Sequence, residues 1–218
     1  MKRVGFVFAT VVIALIVSGS AMAQQYSVTY FSNANTSGAP DGTLRIINDG
    51  YEATACPNGA CNGTLWADIY VFDDSEEMIA CCSCRITSDG LLSESVDQQL
   101  ANPAGPTGPG VIGSTFSTRG EFSRGVIKVI GSNNNDPTDP VPTYGLHGWM
   151  THIQGAKVSA LGSANPKEAS PFYVTETQLS EASLSSAELS SLGAVCSYGV
   201  TTESGYGYCG CSPEDSDF

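Results

Sequence analysis

Residues 64–96, TLWADIYVFDDSEEMIACCSCRITSDGLLSESV, hold the strongest strand signal in the chain and three of its eight cysteines. Within them Leu65, Ala67, Ile69 and Val71 alternate with Trp66, Asp68, Tyr70 and Phe72. Successive side chains of a strand point to opposite faces, and both sets here are largely apolar, so this strand is expected to be covered on both sides. Asp73-Asp74-Ser75-Glu76-Glu77 makes an acidic connection, and residues 78–86 return as the partner strand. This hairpin anchors the predicted fold. Asp89-Gly90 marks the next turn, with another strand over residues 91–96.

Upstream, residues 24–32 (QQYSVTYFS) read as a strand with Tyr26, Val28 and Tyr30 on one face, followed by a polar loop over 33–42. Residues 43–47 (TLRII) form a short strand that Asn48-Asp49-Gly50 ends with a turn. Downstream, residues 125–130 (GVIKVI), 144–153 and 172–176 read as strands, the second placing His147 and Trp149 on one face and His152 on the other. Gly, Pro and Asn break the chain at 102–113, 133–142 and 162–171. One helix is expected. Ser185-Ser186-Ala187-Glu188 is a capping box, Leu189, Leu192, Val195 and Cys196 follow at helical spacing, and Gly199 reads as the stop. The tail 205–211 (GYGYCGC) would add an edge strand before an acidic end at 212–218. The predicted fold is mainly β: one domain over 24–211, an antiparallel β-sandwich with a short C-terminal helix, stabilised by disulfides.

Residues 1–23 are expected to be a signal peptide, with Lys2 and Arg3 ahead of an apolar run over 4–17 and Ala21-Met22-Ala23 at the cleavage site. The run is shorter than the about 20 residues of a membrane span, and no later stretch reaches that length. With no cysteine near the cleavage site, a lipid anchor is disfavoured. The expectation is an exported protein, secreted or held at the cell surface. Of the 9 basic residues, loss of Lys2 and Arg3 leaves 7 against 22 acidic ones, a net charge near −15. Such a chain lacks the basic face that nucleic acid or an anionic lipid surface requires.

All eight cysteines, Cys56, Cys61, Cys81, Cys82, Cys84, Cys196, Cys209 and Cys211, lie in the exported part. An even count in an oxidising compartment reads as up to four disulfides. Strand geometry puts Cys82 and Cys84 on one face and Cys81 on the other. If the tail runs antiparallel to that strand, Cys82 pairs with Cys211 and Cys84 with Cys209; Cys81 then meets Cys196, and Cys56 closes a tight loop with Cys61. The rival is a thiolate site for zinc or an iron–sulfur cluster at Cys81, Cys82, Cys84, Cys209 and Cys211. Only one C-x-x-C is present, so no cofactor and no metal is expected. Asp73, Asp74, Glu76 and Glu77, with Asp68 nearby, and likewise Asp136 and Asp139, could hold calcium, but neither group matches a calcium-loop pattern.

Catalysis has little material. There are two histidines, no H-E-x-x-H and no G-x-S-x-G. A paired-carboxylate glycosidase needs no motif, so a polysaccharide hydrolase stays open. Trp66, Trp149, Tyr206 and Tyr208 are candidates to line a sugar site.

Residues 67–84 (ADIYVFDDSEEMIACCSC) and 186–211 (SAELSSLGAVCSYGVTTESGYGYCGC) resemble a group of secreted, acidobacterial-type proteins. These have a YVFD strand, a cysteine cluster and a Gly-rich C-x-C tail. The resemblance implies export from a bacterium and carries no activity, ligand or site residue. The expected role is therefore a non-catalytic structural or adhesive protein. One version is a self-assembling filament subunit that donates residues 24–32 to a neighbour's sheet; the simpler alternative is that this strand pairs within its own sheet. The competing functions are a polysaccharide hydrolase and a carbohydrate-binding module with a glycan partner.

Overall fold

The computed structural model describes residues 24–32, 42–51, 63–101, 124–154, 173–201 and 207–211. The expected signal peptide over 1–23, the Cys56/Cys61 loop, Tyr206, the acidic end and the breaks at 102–113 and 162–171 lie outside the described residues. Ten strands are described: β1 (Gln24–Phe31), β2 (Thr43–Asn48), β3 (Leu65–Asp73), β4 (Met78–Ile86), β5 (Leu91–Ser95), β6 (Gly125–Ser132), β7 (Leu146–Gln154), β8 (Tyr173–Gln178), β9 (Ser180–Leu184) and β10 (Gly207–Tyr208). A helix, α1 (Ser186–Thr201), precedes β10.

The strands form two sheets. The larger runs β10-β4-β3-β6-β1-β9 and the smaller β5-β2-β7-β8. Every described pairing is antiparallel except β10 with β4. The sandwich core is the alternation read in the sequence: Ala67, Ile69 and Val71 of β3 are fully buried against Leu44, Ile46, Leu92 and Met150 of the smaller sheet. The β3–β4 hairpin closes through a turn in which an Asp73 carboxylate oxygen accepts from Ser75 N and Glu77 N, both at 2.9 Å. Strand β1 sits inside its own sheet, paired with β6 on one side and β9 on the other. Donating it to a neighbour would mean exchanging it against an identical strand.

The outer face of the larger sheet is also covered, as both apolar sets of β3 require. Tyr70, Cys81 and Ile130 pack with Leu184, Leu192 and Cys196 beneath α1. Ser185 caps the helix, accepting from Glu188 N at 3.1 Å, while the Glu188 carboxylate takes the Lys128 ammonium of β6 at 2.7 Å. Gly193 lets the helix lie against the 133–142 connection, because a Cβ there would stand 2.3 Å from Thr138 O.

Three expectations need correction. Val195 is exposed and α1 continues through Gly199; Leu192 and Cys196, one turn apart, define the inward stripe and leave Val195 on its flank. The strand expected at 172–176 continues to Gln178. There Leu179, seated over Gly148 with its N–H on Gly148 O at 2.9 Å, carries the chain across to β9 in the other sheet, a strand the sequence reading did not contain. After β5 the chain makes one wide turn, Val96–Leu100, closed by Ala101 N on Val96 O at 2.7 Å.

Candidate functional site

The six described cysteines are all bridged: Cys81–Cys196, Cys82–Cys209 and Cys84–Cys211. The faces agree with the sequence reading, and so does Cys81–Cys196. The other two partners are exchanged relative to it. The Cys81–Cys196 bridge fixes α1 against the first half of β4, and the tail runs along β4 in the same direction. Gly207 pairs with Ala80 and Tyr208 with Cys81, which sets Cys209 beside Cys82 and Cys211 beside Cys84.

Asp68 lies on the other face of the larger sheet, fully buried opposite Ser83 of β4. The sequence reading set it beside the acidic 73–77 turn. In the fold it stands apart from that turn, because it faces α1 and the 133–142 connection on the same side as Tyr70. Neither carboxylate oxygen has a hydrogen-bond partner among the described residues, nor has Ser83 Oγ. Burial raises the Asp68 pKa to about 7; the hydroxyls of Ser83 and Ser132, nearby but outside hydrogen-bonding geometry, lower it, and the Asp136 charge raises it a little more. Ser132 Oγ is itself engaged, donating to Asn134 Oδ1 at 2.6 Å and accepting from Val141 N at 3.1 Å. Burial likewise raises the pKa of Tyr70, whose hydroxyl donates to Pro137 O at 2.9 Å.

The proposed calcium carboxylates are largely occupied by protein partners. Asp73 closes its turn and Asp74 meets Arg124 at 2.6 Å. Asp136 accepts from Thr138 N and Oγ1, contacts that hold its pKa below the ordinary carboxylate value. His152 is buried, stacked on Tyr30 at 4.2 Å and bonded to Thr177 Oγ1 at 2.7 Å; burial lowers its pKa. Trp66 and Trp149 are half-buried on their strands.

The exposed polar and aromatic groups converge elsewhere, at the end of the sandwich where β2 finishes and β7 begins. Asn48 Nδ2 donates to Gly63 O at 2.6 Å and Ile86 O at 3.1 Å, while its Oδ1 accepts from Gly50 N. This fixes the Asn48-Asp49-Gly50 turn, with Gly50 at φ +72° in the left-handed region. Asp49 Oδ1 then accepts from Tyr51 N at 2.9 Å and Oδ2 lies 3.1 Å from His147 Nε2. Gly145, at φ +111°, passes close to both Asp49 Oδ1 and Tyr51 Cβ, and Asp49 N donates to its carbonyl at 2.8 Å. Tyr51 is 57% exposed and Tyr144 46%. The sequence reading had Asn48-Asp49-Gly50 as a turn and His147 as a strand residue that could stand beside a thiol nucleophile, and it did not connect the two. The β2–β7 register, which pairs Ile47 with His147, brings them together.

No family model, curated protein or solved structure matches this chain.

Proposed function

We propose that this is an exported, disulfide-clamped, non-catalytic adhesive protein whose binding end is Asp49, Tyr51, Tyr144 and His147, and whose partner is a glycan. The observation that carries the reading is the arrangement at that end. The Asp49 carboxylate is held by Tyr51 N and meets the His147 imidazole, and the exposed Tyr51 and Tyr144 flank this turn in the chain. Sugars are bound by such a pairing: their hydroxyls meet oriented carboxylate and imidazole groups while the C–H face of the ring lies on an aromatic side chain. Asp49 Oδ2 fixes the Nε2 side of the His147 ring, and this reading takes the pair as a polar surface that meets sugar hydroxyls. Export is supported by the three bridges, which persist in oxidising compartments. No helix of the described residues is long and apolar enough to cross a membrane.

Affinity electrophoresis in gels containing soluble polysaccharides tests the reading. Retardation by at least one polysaccharide is expected, with loss in Tyr51→Ala and in Tyr144→Ala at unchanged melting temperature. Release of reducing sugar that disappears on substitution of a carboxylate would favour the hydrolase instead. Retardation unchanged in both variants would remove this end from the function.

A further inference from the structure

Two disulfides stand side by side on the core face of β4. The sulfurs of Cys82 and Cys84 are 4.0 Å apart, and those of Cys82, Cys84 and Cys211 all lie within 4.8 Å of one another. Cys209, bonded to Cys82, is the fourth sulfur of the two bridges and lies outside that 4.8 Å group. Cys81, on the opposite face of the same strand, is excluded from it and paired with the helix. We propose that the thiol form of this quartet is a binding site for one zinc-like metal ion, held by Cys82, Cys84, Cys209 and Cys211.

Three of the four sulfurs are already gathered where such an ion requires them, and Cys209 must turn toward them once its bridge opens. Zinc–sulfur bonds near 2.3 Å in a tetrahedron put the sulfurs about 3.8 Å apart. The Cys82–Cys84 separation already has that value within a few tenths of an ångström. The two bonded pairs would open from about 2 Å to about 3.8 Å, roughly 0.9 Å of travel per sulfur, which side-chain rotation supplies while the strands stay paired. Pairing of β10 with β4 brings the two C-x-C segments together, so that each contributes two cysteines to the same face of β4. Cys211 is only half-buried and packs at the margin of the core, so reductant and metal enter from its side, whereas Cys82, Cys84 and Cys209 are enclosed.

The exchange balances as follows. Each bridge takes two electrons and two protons from a dithiol reductant, which leaves as its own disulfide. The metal ion then displaces the four thiol protons. A disulfide-forming oxidant reverses the sequence, withdrawing two electrons per bridge and expelling the ion.

The test uses the mature chain with Cys56 and Cys61 replaced by serine, reduced with dithiothreitol, desalted without oxygen and titrated with Co²⁺. One Co²⁺ per chain with the visible spectrum of a tetrahedral thiolate site is expected, displaced by Zn²⁺. The spectrum should be lost in the Cys84→Ser/Cys211→Ser pair and retained in the Cys81→Ser/Cys196→Ser pair. Since a variant can fail by unfolding, a second measurement is made on the parent: a thiol oxidant should release all bound cobalt as the bridges close. A reduced protein without the tetrahedral spectrum would overturn the proposal. So would a spectrum that survives loss of Cys84 and Cys211, or cobalt retained after both bridges have re-formed.

Discussion

Asp68→Asn separates charge from shape at the most constrained polar position of the fold. The unfolded chain releases the Asp68 proton near 3.8, whereas the folded protein holds it to about 7. The folded state therefore binds the extra proton between those values, and its stability from this group falls as pH rises through that window. The contribution is fully present below about pH 4 and lost above about pH 7. A displacement of roughly three units at 1.36 kcal/mol each is about 4 kcal/mol from end to end. Asparagine keeps the volume and never ionises, but its amide buries two N–H donors where the protonated carboxyl has a single O–H, at a cost of about 1–3 kcal/mol at every pH. The variant should thus be less stable than the parent near pH 4 by about 1–3 kcal/mol and more stable near pH 8 by a similar amount. Urea unfolding followed by the fluorescence of Trp66 and Trp149 at a series of pH values gives the comparison. Because other carboxylates titrate equally in both proteins, the difference between the two curves isolates Asp68. If that difference does not vary with pH, or if asparagine is more harmful at pH 8 than at pH 4, the carboxylate is ionised and paired in the fold. The account of Asp68 given above would then fail.

Two further perturbations follow from the packing of the C-terminal segment. With Cys81–Cys196 closed, Cys82–Cys209 closes a ring of only 16 residues (81–82 and 196–209), and Cys84–Cys211 one of 6 (82–84 and 209–211). Chain entropy makes these worth about 3 and about 2 kcal/mol. Removing either of the two by paired Cys→Ala substitution should therefore cost about 2 kcal/mol, because the remaining bridge takes over most of the closure. Removing both should cost about 5 kcal/mol in guanidinium unfolding, and equal costs for one and for both would contradict the side-by-side arrangement. Gly193→Ala should destabilise by about 1–3 kcal/mol, since the new methyl meets the Thr138 carbonyl; an unchanged melting temperature would show that α1 does not rest on that connection.

The local chemistry of the chain was legible before any coordinates. The alternation in β3 announced a strand covered on both faces, and the Asp73–Glu77 turn announced its hairpin. Ser185 announced the helix start, and the parity of Cys81, Cys82 and Cys84 announced which sulfurs share a face. Each of these is a short-range consequence of side chains alternating on a strand or of a hydroxyl capping an orphan N–H. Strand β9 was not legible, since its SEASL sequence is polar and its place depends on Leu179 finding the space above Gly148. The proposed binding end escaped for a related reason: Asp49 and His147 are 98 residues apart and meet only through strand register.

What the sequence determined by itself was the class of fold and the choice of bridging as the stabilising device, because periodicity and cysteine count act within a few residues. The tertiary structure decided the direction of the C-terminal strand, and with it which cysteine meets which. It also decided that Asp68 is buried on the α1 side of the larger sheet with no hydrogen-bond partner among the described residues. Both depend on how distant segments approach one another across the sheet, a relation that no local pattern encodes.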